Sequence, residues 1–337
     1  MLKTENLLRS LFSGATAMII AASVSLGAVT AAQAETTLKL AHASSTDSLI
    51  NQAVNKFADE VKSLTKGALA VQVYPDGQLG DEGPIADGVG SGSIDIGLGG
   101  VVDAIDAKLN VVTLPFLFKD SKAVHAFLDG PVGKDLFKLG ADRGFVVLGA
   151  LDSGFREFAA TSKSIATPDD MKAMKIRTPP NPVILATIKQ LGALPQSVPF
   201  GQVYTALQSK VVDGVEPETR DFYDQKWYES AKYLSVSNYI WTPNYWFMNK
   251  AAYDGLPADQ RGAIDKAVAD TTAWYRQQLD GVIAGTIEKL KTKGVTVTAV
   301  DGKPFQAMVG PVYDSFAKEW GADLIAKVRT AASAAGN

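Results

Sequence analysis

Short strand patterns alternate with helix patterns along this chain, and this alternation restricts its fold more than any other feature. Residues 36–42 alternate apolar and polar side chains as a strand does, and residues 50–64 repeat apolar side chains every three or four positions as an amphipathic helix does. Gly67 is suited to end that helix. Strand patterns follow at residues 71–75, 94–98 and 145–149. The alternation predicts an α/β fold.

The second half of the chain continues this pattern on a larger scale. Lys175-Ile-Arg177 reads as a short strand that ends at Pro179 and Pro180, and residues 295–300 read as a late strand. A long helical pattern begins beyond Pro257. A chain of 337 residues is long enough for two domains.

The first 34 residues have the pattern of a secretory signal peptide. Lys3 and Arg9 precede an apolar or small run over residues 11–32, which ends in Ala32-Gln33-Ala34. A retained membrane anchor is the alternative, because the run is almost long enough to cross a bilayer. The Ala-x-Ala site favours cleavage before Glu35. The sequence therefore predicts a protein exported to the periplasm.

Composition argues against several classes of function. The chain has 33 basic and 36 acidic residues, and the leader holds two of the basic and one of the acidic ones. The mature chain therefore keeps 31 basic and 35 acidic residues, a net charge of −4. The basic residues are not clustered enough to bind along a phosphate backbone, so nucleic acid is not an expected partner. The chain has no cysteine and two histidines, His42 and His125. We therefore expect no disulfide, no lipid anchor on cysteine, no zinc site of the usual type, no other cofactor and no catalytic activity.

Two arginines are candidates for binding an anion, because a buried guanidinium needs an acidic partner. Arg177 lies at the end of a predicted buried strand, and such ends are where open α/β sheets bind ligands. Its planar fork of donors suits a carboxylate. Arg156 is the second candidate, with an internal salt bridge to Glu157 or Asp170 as the alternative. His42 is more typical of a hydrogen-bonded structural residue at a strand end than of a base, although in a cleft it would contact ligand.

The segment from Phe222 to Phe247 is rich in aromatic residues. Most of them are expected in the core. Trp241 and its neighbours are also candidates for a pocket wall, because aromatic faces pack on the C–H surface of a sugar.

Several blocks resemble the solute-binding proteins of TRAP (tripartite ATP-independent periplasmic) transporters of the DctP type. The central block ATPDDMKAMKIRTP at residues 166–179, with VYTALQSKVVDGVE at 203–216, is the most specific. Shorter matches extend the resemblance over nearly the whole mature chain, namely QLG at 78–80, LPFLF at 114–118, LGALP at 191–195 and YESAKY at 228–233.

The resemblance implies two α/β domains around a central ligand cleft, joined by crossing strands and a long helix. The expected boundaries are 35–154 plus 243–282 for domain I and 155–242 plus 283–337 for domain II, after a signal peptide at 1–34. Such proteins close on an organic acid and deliver it to membrane permease subunits without using ATP. A monomer is expected.

The resemblance also implies roles for particular residues. Arg177 matches the arginine that grips the ligand carboxylate, Arg156 matches the second arginine of the cleft, and Phe200 matches an aromatic wall position. Glu216 matches the acid of the Asp-Gly-x-Glu motif. The predicted ligand-binding set is Arg177, Arg156, Glu82, Phe200, Glu216, Tyr239, His42, Ser44 and Trp241.

Departures from the sialic-acid branch of this family narrow the range of expected ligands. Pro217 and Pro180 stand where that branch carries asparagine, and Tyr239 stands where it carries histidine. The acids Glu82, Glu216 and Glu218 offer acceptors for hydroxyl groups, which suits a uronate or an aldonate. A dicarboxylate would need more cationic partners, so a sugar acid is the favoured hypothesis.

Three other classes stay open from the sequence. A solute-binding protein of an ATP-driven importer would lack the central block and would be encoded beside an ATPase. A periplasmic enzyme acting on sugar acids would show turnover that is lost when His42 is replaced. A sensor module that feeds a membrane receptor would use the same closed, liganded form.

Overall fold

A nine-stranded sheet runs through residues 35–336, the part of the chain that the computed structural model describes. The predicted signal peptide lies outside the described residues. The hydrogen-bonded order is β2-β1-β3-β8-β4-β7-β5-β6, with β9 beside β8. The strands are β1 (Thr36–His42), β2 (Leu69–Tyr74), β3 (Ile96–Gly99), β4 (Phe145–Ala160), β5 (Lys175–Thr178), β6 (Leu194–Ser197), β7 (Gly214–Val215), β8 (Tyr233–Asn249) and β9 (Thr296–Ala299).

Helices cover the sheet and connect its strands. They are α1 (Leu49–Leu64), α2 (Glu82–Ser91), α3 (Asp103–Asp106), α4 (Ser121–Asp129), α5 (Pro131–Leu136), α6 (Pro182–Gln190), α7 (Val203–Gln208), α8 (Thr219–Asp224), α9 (Lys250–Gly255), α10 (Ala258–Thr292), α11 (Lys303–Gln306), α12 (Gly310–Trp320) and α13 (Ala322–Ala335). None of the helices within residues 35–336 combines the length and the apolar character needed to cross a bilayer.

Two long antiparallel strands join the two halves of the sheet. β4 and β8 pair from Phe145 opposite Asn249 to Ala160 opposite Tyr233. The parallel strands β2, β1 and β3 lie beside the end of β8, whereas β7, β5 and β6 lie beside the end of β4. The predicted fold class, two α/β domains joined by crossing strands, is confirmed.

The long helix α10 contributes to the core of both halves. Near its start, Ile264 packs with α1 and with β1–β3, around Phe57 and Trp246. Near its end, Leu290 packs with the cluster around Trp227. A single rigid element therefore ties the two cores together. The domain boundaries at 154/155, 242/243 and 282/283 stay predictions.

Local signals explain why the first elements form as predicted. The hydroxyl of Ser48 accepts a hydrogen bond from the backbone N–H of Asn51 at 3.1 Å and so caps α1. Lys66 and Gly67 then reverse the chain at positive φ of 52° and 84°. The predicted strand at 145–149 is the beginning of the much longer β4.

Candidate functional site

A cavity of about 320 Å³ lies where the two halves face each other, beside β4, β5 and β8. Its wall is made of charged, polar and apolar side chains in separate patches. The charged and polar residues are Asp81, Glu82, Asn110, Thr113, Ser153, Arg156, Arg177, Asn181, Gln202, Glu218, Asp221, Thr242 and Asn244. The larger apolar and aromatic residues are Pro84, Val101, Pro179, Pro180, Ile184, Pro199, Phe200, Pro243 and Tyr245.

Arg177 presents a guanidinium to this cavity without an acidic partner in the described chain. Arg177 lies on β5 and is only 2% exposed. Its Nε donates to the carbonyl oxygen of Val198 at 2.9 Å, and its Cζ lies 5.6 Å from the ring centroid of Trp227. Within residues 35–336 its two Nη atoms make no hydrogen bond and no salt bridge. These contacts orient the fork of donors and leave its open end for an anion.

Electrostatics support an anion at Arg177. Burial lowers the pKa of Arg177 to about 10, and the nearby Arg156 adds to this effect while Glu216 and Glu218 oppose it. The group remains cationic at neutral pH. A buried cation that keeps free donors favours a negatively charged ligand.

Arg156, on β4, is fully engaged by carboxylates. Its Nε and Nη2 donate to Glu216, the latter at 2.8 Å, and its Nη1 donates to Glu218. Burial would lower the pKa of Arg156, but Glu216 and Glu218 outweigh burial and raise it. The alternative of an internal salt bridge was therefore right in kind, but the acids are Glu216 and Glu218 and not Glu157 or Asp170.

Glu216 and Tyr239 lie behind the cavity wall and not on it. Glu216 is 1% exposed and accepts a hydrogen bond from the hydroxyl of Tyr239 at 2.6 Å, besides those from Arg156. Glu218 lines the cavity and accepts from the hydroxyl of Thr242. Both carboxylates are thus used by the protein, and neither is the free acceptor that the sequence suggested.

Glu82, at the start of α2, is an acid of the wall with one hydrogen-bond partner in the described chain. Its Oε1 accepts a hydrogen bond from the backbone N–H of Gly100 at 3.2 Å. It forms no salt bridge within the described residues. Burial raises the pKa of Glu82 to about 7, and the charges of Asp81 and Glu218 act in the same direction.

Phe200 and Tyr245 supply the aromatic part of the wall. The ring of Phe200 meets that of Trp227 edge-on at 5.4 Å between centroids. The hydroxyl of Tyr245 donates to the carbonyl oxygen of Leu109 at 2.9 Å, which turns its ring toward the cavity side of β8. Such faces suit the C–H surface of a sugar.

Besides Glu216 and Tyr239, three more predicted ligand-binding residues do not line the cavity. His42 is 1% exposed, with its Nε2 3.2 Å from Oδ1 of Asn51, and burial lowers its pKa to about 4. Ser44 lies in the bend before α1. Trp241 is buried against Phe118, and its Nε1 donates to Asp152. Packing at the end of β1 buries His42, and packing in the middle of β8 buries Trp241, both outside the cavity wall.

Several polar residues of the wall went unnoticed in the sequence. Asn181 caps α6 by accepting from the N–H groups of Val183 and Ile184, and its Nδ2 donates to Asn110 at 2.9 Å. The signal was the Asn-Pro pair at the start of a helix. Asn244 and Thr242 come from the middle of β8, where a run of buried residues hides which side chains face the cavity.

Contacts join the two halves beside the cavity. Oδ2 of Asp81, which caps α2, accepts a hydrogen bond from the backbone N–H of Gly201 at 3.2 Å. The bond between Asn181 and Asn110 also crosses from one half to the other. The structure therefore represents a state in which the walls have approached each other.

Relatives of known name are similar in sequence, and a solved structure is similar in fold. The 2,3-diketo-L-gulonate-binding periplasmic protein YiaO of Escherichia coli K12 is 33% identical over 282 residues, which cover 82% of this chain and 86% of the relative. The C4-dicarboxylate-binding periplasmic protein DctP of Rhodobacter capsulatus is 31% identical over 330 residues, which cover 94% of this chain and 96% of the relative. A TRAP periplasmic solute-binding protein from Xanthobacter autotrophicus Py2, solved with bound β-D-galacturonate, has a TM-score of 0.83 and 31% identity, covering 87% of this chain and 99% of that chain.

A family model agrees with these likenesses. The model of bacterial extracellular solute-binding protein, family 7 (DctP), matches residues 40–319, which is most of the described chain. That span includes both long strands, Arg177 and the whole cavity wall. The chain belongs to this family, the DctP-type solute-binding proteins of TRAP transporters.

Proposed function

We propose that this protein captures a sugar acid with one carboxylate, such as a uronate or an aldonate. The observation that carries the proposal is Arg177, whose two Nη atoms face the cavity without an acidic partner in the described chain. A ligand carboxylate accepts two parallel hydrogen bonds from such a fork. The low dielectric of the closed cavity strengthens that contact relative to water.

The rest of the wall favours hydroxyl groups over a second carboxylate. Asn110, Asn181 and Asn244 are among the polar groups suited to donate to or accept from hydroxyls, and Phe200 offers an aromatic face. Of the two arginines on the wall, Arg156 is already paired with two acids. YiaO is named for 2,3-diketo-L-gulonate, and the Xanthobacter protein was solved with β-D-galacturonate bound, which supports this ligand class.

A C4-dicarboxylate is the second candidate, because DctP of R. capsulatus is named for that class. It would place a second negative charge near Glu82, Glu218 or Asp221, since these acids share the wall with Arg177. Like charges in a buried cavity repel strongly. We therefore rank dicarboxylates below monocarboxylic sugar acids.

The proposed biological role is uptake. The mature protein would act in the periplasm, bind the acid as a monomer, and deliver it to the permease subunits of a TRAP transporter, without catalysis. The lack of a histidine in the cavity wall supports binding over acid–base chemistry, since His42 lies outside it and is held neutral by burial.

A thermal-shift screen of residues 35–337 tests the proposal. The ligands are uronates, aldonates, dicarboxylates, aromatic acids, amino acids and the neutral parent sugars. A ligand that binds only the folded state adds about 2.7 kcal/mol of stability at a hundredfold excess over its Kd. We expect stabilisation by hydroxylated monocarboxylates. Stabilisation by dicarboxylates alone would replace the ligand class, and stabilisation by neutral sugars alone would remove Arg177 from its role.

A further inference from the structure

The charges around the cavity are unbalanced toward acid. Arg156 serves two carboxylates at once, those of Glu216 and Glu218. Arg177 and Glu82 remain, and they face the same cavity without a salt bridge between them in the described structure. The wall thus carries four acids, Asp81, Glu82, Glu218 and Asp221, against the two guanidiniums of Arg156 and Arg177, and a ligand carboxylate would make five. Asp221 has a cation of its own, Arg220, at 3.1 Å.

Glu216 and Glu218 are each held by several donors of the protein. Arg156 donates to both, the hydroxyl of Tyr239 donates to Glu216, and the hydroxyl of Thr242 donates to Glu218. Hydrogen bonds of this kind favour the charged form of a carboxylate. Both carboxylates therefore already have hydroxyl and guanidinium donors within the protein.

Glu82 lacks such support. Its one hydrogen bond within residues 35–336 comes from the N–H of Gly100, at 3.2 Å. The charged groups that act on it are Asp81 on its own helix, Glu218 across the cavity and Arg177 on β5. When a ligand carboxylate pairs with Arg177, it neutralises the cation that favours ionised Glu82 and adds a further negative charge to the cavity.

We propose that Glu82 takes up one proton from solvent when the cavity captures a monocarboxylate, so that the anion and the proton enter the site together. This inference rests on the proposed function of the cavity. The proton binds to a carboxylate oxygen of Glu82 and no other bond is made or broken. Protonated Glu82 then offers an O–H donor to the ligand, which an ionised carboxylate cannot do.

The sign of the pH dependence follows from the surroundings of Glu82. Burial already raises its pKa to about 7 without ligand, and the ligand charge would raise it further. Below about pH 7 the group is mostly protonated, and affinity is nearly constant. Above pH 7 capture consumes a proton, so the Kd rises by about tenfold per pH unit until the pKa of the complex is reached.

Titration calorimetry with D-galacturonate tests the proposal. The parent protein, Glu82→Gln and Glu157→Gln are titrated at pH 8 in phosphate and in Tris, whose ionisation enthalpies differ, and the Kd is measured from pH 6 to pH 8.5. Glu157→Gln is the matched control. Glu157 is a buried acid whose pKa, like that of Glu82, is raised to about 7 by burial. Its carboxylate accepts from the N–H groups of Ser237 and Asn238 and does not line the cavity.

We expect the parent and Glu157→Gln to take up close to one proton at pH 8 and to lose affinity above pH 7. Glu82→Gln should take up none and keep one Kd across the range. A parent protein that binds without proton uptake, or a Glu82→Gln variant that retains the uptake, overturns the inference while the proposed function stands. If D-galacturonate does not bind, the carboxylate with the largest thermal shift replaces it; if no carboxylate binds, both proposals fail.

Discussion

At the residue scale, Arg156 and Arg177 show how the same side chain takes opposite roles in one cavity. Both are buried, both lie on strands and both line the cavity. Arg156 is neutralised by two acids, so it holds β4 to the segment that carries Glu216 and Glu218. Arg177 has its Nε fixed by Val198 and keeps its remaining donors for a ligand. The difference lies in the neighbours and not in the residue type.

Replacing Arg177 tests its role directly. Arg177→Ala should cost about 2–5 kcal/mol of binding energy, or tens- to thousands-fold in affinity, because it removes a charged, hydrogen-bonded contact. Arg177→Lys should recover part of this loss, since lysine keeps the charge but not the planar fork. Calorimetric titration of the ligand identified by the screen measures both. An alanine variant with the parent's affinity would contradict our assignment of the site.

The position of Arg177 at the end of a short strand could be predicted because its neighbours in the chain carry the signal. A short apolar strand followed by two prolines is a local pattern, and β5 ends where expected, at Thr178. The partners of Arg156 could not be read in this way, since Glu216 lies 60 positions away. His42, Ser44 and Trp241 looked equally suitable in the sequence. Their orientation depends on packing against distant residues.

At the element scale, the crossing strands hold the two halves together, and Gly154 lies where they are irregular. The register of β4 against β8 shifts between Asp152 and Gly154, opposite Pro243. Proline has no N–H to offer the ladder, which explains a break at this position. Gly154 adopts a φ of +101°, and its N–H donates to Oδ1 of Asp152 at 2.8 Å. The irregularity therefore has its own supporting contacts.

We expect Gly154→Ala to lower the free energy of unfolding by about 1–3 kcal/mol, because an L-residue is strained at this φ. The nearest atom to an added Cβ would be Cδ1 of Ile283 at 3.5 Å, so the cost is one of backbone strain and not of collision. Urea denaturation measures it.

Gly281→Ala is the matched control for this prediction. Gly281 lies inside α10 with no atom within 4 Å of an added Cβ, so alanine there should stabilise the protein by about 0.5–1 kcal/mol. Equal stability of Gly154→Ala and the parent would show that the crossing tolerates an ordinary residue.

Elements in which apolar residues recur at a regular spacing could be predicted from the sequence. Elements defined by pairing with a distant strand could not. The cap and apolar stripe of α1 indicate its limits within a residue or two. β8, in contrast, has 17 residues and is buried along most of its length, so its sequence has no simple alternation. Its aromatic residues suggested a core, but the strand could be recognised only with β4 beside it.

At the scale of the whole molecule, the cavity, the cross-cleft contacts and the long helix fit our proposal of a protein that closes around a ligand. Asp81 and Asn181 already bond to the opposite half. A ligand held by Arg177 and by residues from both walls would favour this closed state over an open one, because only closure brings all of them within reach. The fold class could be predicted from the sequence, whereas the shape of the cavity depends on how the halves meet.

The stability of the ligand-free protein should fall as the pH rises from 5 to about 7.5. Burial raises the pKa values of Glu82, Glu157 and Asp221 to about 7, so the folded state binds protons that the unfolded chain has lost. The contribution of these three carboxyl groups to the free energy of unfolding is complete below the ordinary carboxyl pKa. It is lost as the pH rises through about 7.

His42 acts in the opposite direction, since burial lowers its pKa to about 4, but it is one group against three and its effect ends near pH 6.5. Urea denaturation at pH 5, 6, 7 and 8 measures the trend, and Glu157→Gln should reduce the decline. A free energy of unfolding that increases over this range would show that these carboxyls are ionised in the folded protein.

The central claim is that the cavity recognises a carboxylate through Arg177. Its most direct test is a calorimetric titration of the mature protein with pairs of compounds that differ in the acid group, namely D-galacturonate with D-galactose and D-gluconate with D-glucitol. We predict that at least one acid binds and that its neutral partner binds tens- to thousands-fold more weakly, the range expected for loss of a buried charged contact. A neutral sugar that binds as tightly as its acid would contradict the account.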